Sequence, residues 1–276
     1  MLAQLFSDIG NIWAKYGGVY LTGIGNTLVL AVTATLIGCV IGFFCGILQT
    51  IPCAPGDRFV KRFLLRTLRA VIRVYVEVFR GTPMILQAVF IYYGMPYFFG
   101  VSFRDIWTVS ILVVSVNTGA YMAESVRGGI MSIDVGQFEG AKAIGMNHWQ
   151  TMLYVILPQT LRNIMPQIGN NYIINVKDTS VMFIIGFSDF FAVHKMVSGA
   201  VFKYFPSAFM EMAGYLFLTL LASFLLRKME KKLAGKSNYE LVNTDQLVMT
   251  AGTYSYPKEA GSPFEEVSRD YKGGGQ

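Results

Sequence analysis

Long stretches of this chain contain no charged side chain. Residues 16–56, 81–103 and 106–123 hold no Asp, Glu, Lys or Arg, whereas a helix that crosses a bilayer needs about 20 mostly apolar residues. One such run would suit a buried helix of a soluble protein, but several in succession are typical of membrane-spanning helices. The pattern therefore predicts an all-α integral membrane protein.

Five spans are expected. Their approximate bounds are 20–49, a segment within 71–99, 107–130, 164–190 and 206–226. The fourth is the weakest by hydropathy, because Lys177 and Asp178 lie in its middle. The chain start includes Asp8 and Lys15 but no basic n-region, so we expect the first apolar run to act as its own insertion signal.

The distribution of Lys and Arg predicts the orientation, because short cytoplasmic loops are enriched in both. With the N-terminus outside, fourteen of them lie in inside segments and four in outside segments. This N-out, C-in arrangement requires an odd number of spans. It divides the chain into an extracytoplasmic segment (1–19), a transmembrane domain (20–232) and a cytoplasmic tail (233–276) whose few large apolar residues predict disorder.

Composition narrows the class of protein. Of the residues, 53% are apolar and 14% charged, against about 25% charged in soluble domains. The net charge of +6 does not indicate nucleic-acid binding, because the basic residues cluster between apolar runs. Cys39, Cys45 and Cys53 lack metal-ligand spacing and are expected to act as small apolar residues. With no nucleophile–base or metal-ligand pattern in the sequence, we expect neither a catalytic nor a metal site.

Polar side chains recur at helical spacing within three of the predicted spans. They are Thr22, Asn26 and Thr33, then Ser110, Asn117, Tyr121 and Glu124, then Gln167, Asn171, Asn175 and Asp178. Lipid penalises such faces, so each should point into the bundle, either to bond a neighbouring helix or to line a path. Gly38, Gly42 and Gly46 repeat every four residues and predict the close approach of another helix.

Two charged pairs lie near or within the spans. Glu77 and Arg80 are three residues apart on a helix and are expected to pair, while the Gly-Thr-Pro sequence that follows should break or kink that helix. Lys177 and Asp178 are adjacent, so their side chains diverge by about 100° and cannot simply satisfy one another. At membrane depth each needs another partner, which makes both functional candidates.

The segment between the third and fourth spans, at about 134–158, lies inside according to the charge distribution. It predicts a short helix over 138–144, a stop at Gly145, a second helix over 148–155, and a restart at Pro158. Such a helix pair along a membrane surface is suited to fill a cleft on another protein.

This segment resembles the EAA motif of bacterial ABC import permeases, which reads Glu-Ala-Ala, three residues, Gly, nine residues, Ile, any residue, Leu-Pro. The matching residues, with every spacing kept, are Glu139, Gly140, Ala141, Gly145, Val155, Leu157 and Pro158. Gly140 and Val155 depart from the motif mildly, since a small and a β-branched residue are preserved.

Other segments resemble the polar amino-acid permeases of the histidine and glutamine type. They are residues 77–84 (Glu-Val-Phe-Arg-Gly-Thr-Pro-Met), residues 120–130 on the predicted third helix, and residues 157–162 with 175–180 at the fourth. The resemblance covers about residues 20–232 and implies the transmembrane fold of a type I ABC importer. It also implies a multi-pass protein of the bacterial inner (plasma) membrane.

The resemblance implies a division of labour between several chains. The inside loop would dock on a cytoplasmic ATPase dimer through Glu139, Gly140, Ala141, Gly145 and Met146. The translocation path or its gate would involve Glu77, Arg80, Gln87, Asn117, Tyr121, Glu124, Asn171, Asn175, Lys177 and Asp178. An extracytoplasmic binding protein would deliver a polar amino acid to a pair of permeases, formed with an identical chain or a paralogue.

ATP and Mg²⁺ would bind the partner ATPase, and no cofactor is expected on this chain. Gly235-Lys236-Ser237 resembles the end of a phosphate-binding loop, but Glu230 stands where that loop needs its first glycine. An alternative of a different class is an ion-coupled secondary transporter or channel, in which Lys177 and Asp178 would serve a coupling ion. A long inward loop of this pattern has no use there without a docking ATPase.

Overall fold

The computed structural model describes residues 2–51 and 58–233. Every regular element in these ranges is helical, as the sequence predicts. The α-helices are α1 (Leu2–Thr50), α2 (Phe59–Gly81), α3 (Met84–Val89), α4 (Met95–Phe99), α5 (Ile106–Met131), α6 (Val135–Ala143), α7 (His148–Gln150), α8 (Leu157–Asp178), α9 (Phe190–Val201) and α10 (Tyr204–Leu233). A π-helical turn, Phe90–Gly94, joins α3 to α4, and a 3-10 helix, Thr179–Ile185, follows α8. The predicted tail, apart from Leu233, lies outside the described residues.

Three of these helices, α1, α5 and α10, are long and apolar enough to cross a membrane. Two further candidates are bent pairs: α2 meets the α3–α4 segment at 112°, and the segment that contains α8 meets α9 at 55°. If each bent pair is one span, the total is five. The structure therefore allows the five-span arrangement, while its orientation stays a prediction.

α1 is much longer than the predicted first span. Its 49 residues extend over about 74 Å, more than twice the ~30 Å hydrocarbon core of a bilayer. The first residues continue the helix because their apolar face packs on α9, where Ile12 and Tyr20 are buried with Val197. An ion pair of 2.5 Å between Asp8 and Lys203 closes this contact. Residues 2–19 are therefore helical and continuous with the predicted first span, while their extracytoplasmic location stays a prediction.

α1 and α5 approach each other closely. A Cβ atom on Gly42 would lie 2.3 Å from the Cβ of Met122, which is far inside van der Waals contact. The glycines one turn before and after it face Thr118 and Val126 in the same way, at 2.7 and 2.6 Å. The close contact predicted from the glycine spacing is confirmed. It makes α1 and α5 a tightly packed pair.

Two apolar clusters lie at different levels of α5. One includes Val114 of α5 with residues of α1, α3 and the segment after α8. The other begins on α5 at Met122 and joins it to α8 and the loop before it. Polar residues of α5, among them Asn117 and Tyr121, lie between the two clusters. The site described below is built around this polar level.

Candidate functional site

A cavity of about 450 Å³ lies between the α2–α3 break, α5 and α8. Six of the ten predicted path residues line it: Arg80, Asn117, Tyr121, Asn171, Asn175 and Asp178. Its volume falls within the ~300–1,000 Å³ typical of small-molecule pockets. Residues from three separate parts of the chain are thereby brought to one polar space.

The break between α2 and α3 forms one wall of the cavity. Pro83 has no N–H, so the carbonyl of Phe79, four residues earlier, loses its helical donor. Two side-chain amides replace that donor: Gln87 Nε2 lies 2.9 Å and Asn117 Nδ2 3.1 Å from the oxygen. Asn117 also donates to Gln87 Oε1 at 3.0 Å. The break predicted at this sequence is confirmed, and Gln87 stabilises it from behind the cavity lining.

Asn175 connects α8 to the α1–α5 pair. Its Nδ2 donates to Thr35 Oγ1 on α1 at 2.8 Å and to Thr118 Oγ1 on α5 at 2.9 Å. All three side chains are buried. Sequence reasoning missed both threonines, because threonine in a helix commonly bonds a carbonyl of its own helix. Thr35 also does so, at 2.6 Å from the oxygen of Ala31.

Arg80 reaches from α2 to α5. Its guanidinium pairs with the carboxylate of Glu124 and lies 5.3 Å from the ring centroid of Tyr121. Arg127 approaches the same carboxylate at 3.6 Å. The expected pair between Glu77 and Arg80 is wrong, because Arg80 pairs with Glu124 instead, and Glu77 is exposed on α2 and does not line the cavity. The packing of α2 on α5 brings the carboxylate of Glu124 to this guanidinium.

Lys177 and Asp178 face different spaces. Asp178, the last residue of α8, lines the cavity with the other path candidates. Lys177 lines a second cavity of about 380 Å³, together with Glu211 and Tyr215 of α10. This separation follows from the angle of about 100° between successive helical residues. Lys177 is therefore not brought together with the other predicted path residues.

The inside loop is shaped by local hydrogen bonds. The carboxylate of Asp134 accepts the N–H of Gly136 at 2.6 Å, where α6 begins. At its other end, Gly145 has φ +82°, and the N–H of Met146 donates to the carbonyl of Ala141 at 3.0 Å. The N–H of Gly145 also donates to the carbonyl of Lys142, at 2.9 Å. Many helices end with such a pair of hydrogen bonds around a glycine of positive φ. The stop predicted at Gly145 is confirmed.

The second helix of the loop differs from its prediction. Asn147 and Gln150 exchange side-chain to backbone bonds of 2.9 Å in both directions, which is a capping box. A π-helical turn, Thr151–Ile156, then leads directly into α8. The expected restart at Pro158 is wrong, because the chain passes that proline without interruption. Bonding in the π turn follows an i to i+5 pattern, and proline is tolerated in the first turn of the helix that follows.

The surface of the loop combines polar and apolar groups. Glu139, Gly140 and Gly145 are exposed, whereas Ala141 is buried and Met146 half-buried. Phe138 anchors α6 by packing on the apolar cluster around Met122 and Ile156. Ile144 and Trp149 project outward, with 75% and 64% of their surface exposed. Sequence reasoning missed these two, although large apolar residues in a polar loop are a signal for a protein contact.

Residues 42–235 match the family described as binding-protein-dependent transport system inner membrane component. The glutamine transport system permease protein GlnP of Escherichia coli is 33% identical over 226 residues, which cover 82% of this chain and 97% of that protein. A putative glutamine transport system permease protein GlnP of Rickettsia felis is 33% identical over 207 residues, which cover 75% of this chain and 89% of that protein.

Solved structures give the same result. The crystal structure of an amino acid ABC transporter with histidines superposes with a TM-score of 0.70 and 32% identity, over 79% of this chain and 96% of that chain. The inward-facing MetNI methionine ABC transporter shares the fold, with a TM-score of 0.64 and 19% identity, over 79% of this chain and 98% of that chain. The resemblance to ABC import permeases is confirmed. The chain belongs to the inner membrane components of binding-protein-dependent transport systems, and it is a transporter subunit rather than an enzyme.

Proposed function

We propose that this permease imports a polar amino acid and that the cavity between the α2–α3 break, α5 and α8 lies on its path. The observation that carries the proposal is the lining of the cavity. Arg80 and Asp178 provide opposite charges, and Asn117 and Asn171 provide amide groups. A zwitterion with a polar side chain carries complementary groups. The names of the relatives, a glutamine permease and an amino acid ABC transporter, support this class of substrate.

The other chains of the transporter follow from the family. A binding-protein-dependent system has a binding protein that delivers the substrate, on the outer side in the N-out, C-in orientation. A separate ATPase dimer binds ATP and Mg²⁺, and a second permease, identical or a paralogue, completes the path. An ion-coupled transporter or channel would need none of these chains, so family membership argues against that alternative.

The inside loop is the proposed docking site for the ATPase. Glu139, Ile144 and Trp149 are exposed at intervals of five residues on a loop whose turns are fixed by hydrogen bonds. A rigid, exposed and partly apolar projection suits a groove on another protein, because little conformational entropy is lost when it binds. Gly140 within α6 and Gly145 at the turn present no side chain, which keeps the projection narrow.

Uptake of labelled amino acids tests the proposed path. In the transporter reconstituted with its ATPase and binding protein, Asp178→Asn should lower uptake about tenfold or more, because it removes a charge that bonds the substrate. The matched control is Glu77→Gln, which neutralises an exposed acid outside the cavity and should leave uptake near wild type. Wild-type uptake by Asp178→Asn would refute the assignment.

Coupling tests the proposed docking site. Glu139→Lys or Gly145→Asp should leave the protein inserted but separate ATP hydrolysis from uptake, since each changes the exposed face of the loop. Glu77→Lys makes the same change of charge at an exposed position of α2 and serves as the control. Normal uptake with normal ATPase stimulation in both loop variants would show that the loop does not dock.

A further inference from the structure

α2 presents three different faces along its length. One face packs on the bundle, with Ile72 buried and Leu65 and Phe79 half-buried. The side chain of Tyr75 fixes it there by donating to the carbonyl of Val116 on α5 at 2.6 Å. Of the remaining two faces, one is basic and one is apolar, and each carries exposed side chains.

The basic face is a continuous stripe of four arginines. Arg62, Arg66, Arg69 and Arg73 follow each other at spacings of four, three and four, which places them within an arc of about 60°. No carboxylate within residues 2–51 and 58–233 pairs with them. Arg62 and Arg69 are half-buried, and the guanidinium of Arg69 donates to the carbonyl of Ile51 just after α1. The exposed Arg66 and Arg73 thus offer several donors to an anionic group.

The apolar face adjoins the stripe on its other side. Its residues, each between 49% and 73% exposed, are Phe59, Val60, Phe63, Leu64, Val71, Val74 and Val78. So large an apolar face is unfavourable in water. It follows the whole 23-residue helix, over about 34 Å.

Anionic phospholipid is the partner that matches both faces at once. Its phosphate lies at the membrane surface and its acyl chains lie directly beneath. An amphipathic helix with a basic face contacts both at once. An acidic protein surface would match the arginines but not the seven apolar side chains. The tail from Ser237 onward carries six acids that could pair with the arginines. It has few large apolar residues, however, with which to cover the apolar face of α2. The bend of 112° between α2 and the α3–α4 segment allows α2 to lie along the membrane surface while that segment enters the bilayer.

We propose that α2 is an interfacial helix that binds anionic phospholipids, with the exposed Arg66 and Arg73 on headgroup phosphates and the apolar face among the acyl chains. The full-length chain in detergent is titrated with phosphatidylglycerol or phosphatidylcholine, and its thermal unfolding midpoint is followed. Phosphatidylglycerol should raise the midpoint, while phosphatidylcholine and inorganic phosphate should not. Arg66→Gln/Arg73→Gln should weaken apparent binding of phosphatidylglycerol on the order of tenfold.

Matched variants separate lipid binding from other effects. Lys228→Gln/Lys231→Gln removes the same charge from exposed positions of α10 and should keep wild-type binding. Arg66→Lys/Arg73→Lys keeps the charge and should keep most of the preference for phosphatidylglycerol over phosphatidylcholine. This variant tests the role of charge even if the glutamine variant fails to fold. A chain ending at Lys236 should also bind normally. Equal midpoints with both lipids would overturn the proposal. Loss of the preference on truncation alone would also overturn it, because that result would place lipid binding in the tail and not on α2.

Discussion

The cavity and the inside loop are held in shape by contacts of different range. In the loop, the bonds of Asn147 with Gln150 span three residues. In the cavity wall, the bond from Asn175 to Thr35 spans 140 residues. The loop therefore follows from short-range rules, whereas the cavity exists only when the helices are packed. Changes around the cavity should weaken the whole fold, and changes in the loop should act locally.

The largest expected effect comes from the helix pair behind the cavity. Gly42→Leu should destabilise the protein by about 3 kcal/mol or more, because its side chain would overlap Met122 and force α1 from α5. Gly25→Leu is the control, since nothing lies within 4 Å of a Cβ atom there. Thermal unfolding in detergent compares the two. Equal midpoints would contradict the close packing of α1 and α5.

The second-largest loss of stability is expected from the amide of Asn175, which bonds α8 to the α1–α5 pair. Asn175→Leu should cost roughly 1–2 kcal/mol, because the variant loses bonds to Thr35 and Thr118 between helices. Asn170→Leu makes the same change at an exposed position of α8 and should have little effect. A loss in the control equal to that in Asn175→Leu would indicate a general effect of leucine in α8.

The break between α2 and α3 can be tested by a double-mutant cycle. Gln87→Met should cost about 1 kcal/mol, because it removes a donor from the carbonyl of Phe79. In a Pro83→Ala background the backbone N–H returns and can serve that carbonyl, so the same change should cost less. Unfolding midpoints of the four proteins give the coupling. Strict additivity would mean that Gln87 does not compensate for the proline.

The smallest expected loss of stability comes from a change in the inside loop. Asn147→Ala should cost about 0.5–1 kcal/mol, because it removes the capping box of α7. Hydrogen exchange should show faster exchange in α7, whereas protection in α5 and α8 should stay unchanged. Faster exchange throughout the bundle would show that the loop and the cavity are not independent.

Local features of this structure could be predicted from the sequence. The stop at Gly145 and the break before Pro83 follow from the backbone chemistry of these two residue types. The glycine spacing on α1 likewise predicted a close helix contact, since only small residues allow it. The apolar runs predicted α5 within one residue at each end.

Features that depend on tertiary packing could not be predicted in this way. α1 extends N-terminal to the predicted first span because α9 covers its apolar face there, and no local pattern in the sequence predicts that contact. Arg80 pairs with Glu124 rather than Glu77 because α5 brings that carboxylate close. The roles of Thr35 and Thr118 depend on where α8 places Asn175. Predicting such contacts requires the arrangement of the helices.

The central claim, that the cavity and not the loop holds the amino acid, can be tested by cysteine protection. In the assembled transporter with Cys39, Cys45 and Cys53 replaced by serine, Tyr121→Cys lines the cavity and Ile144→Cys lies exposed on the loop. The rate at which a small thiol reagent modifies each cysteine is measured with and without the transported amino acid. We predict that the amino acid slows modification at position 121 several-fold and leaves position 144 unchanged. Equal rates at position 121 with and without the amino acid would contradict the account.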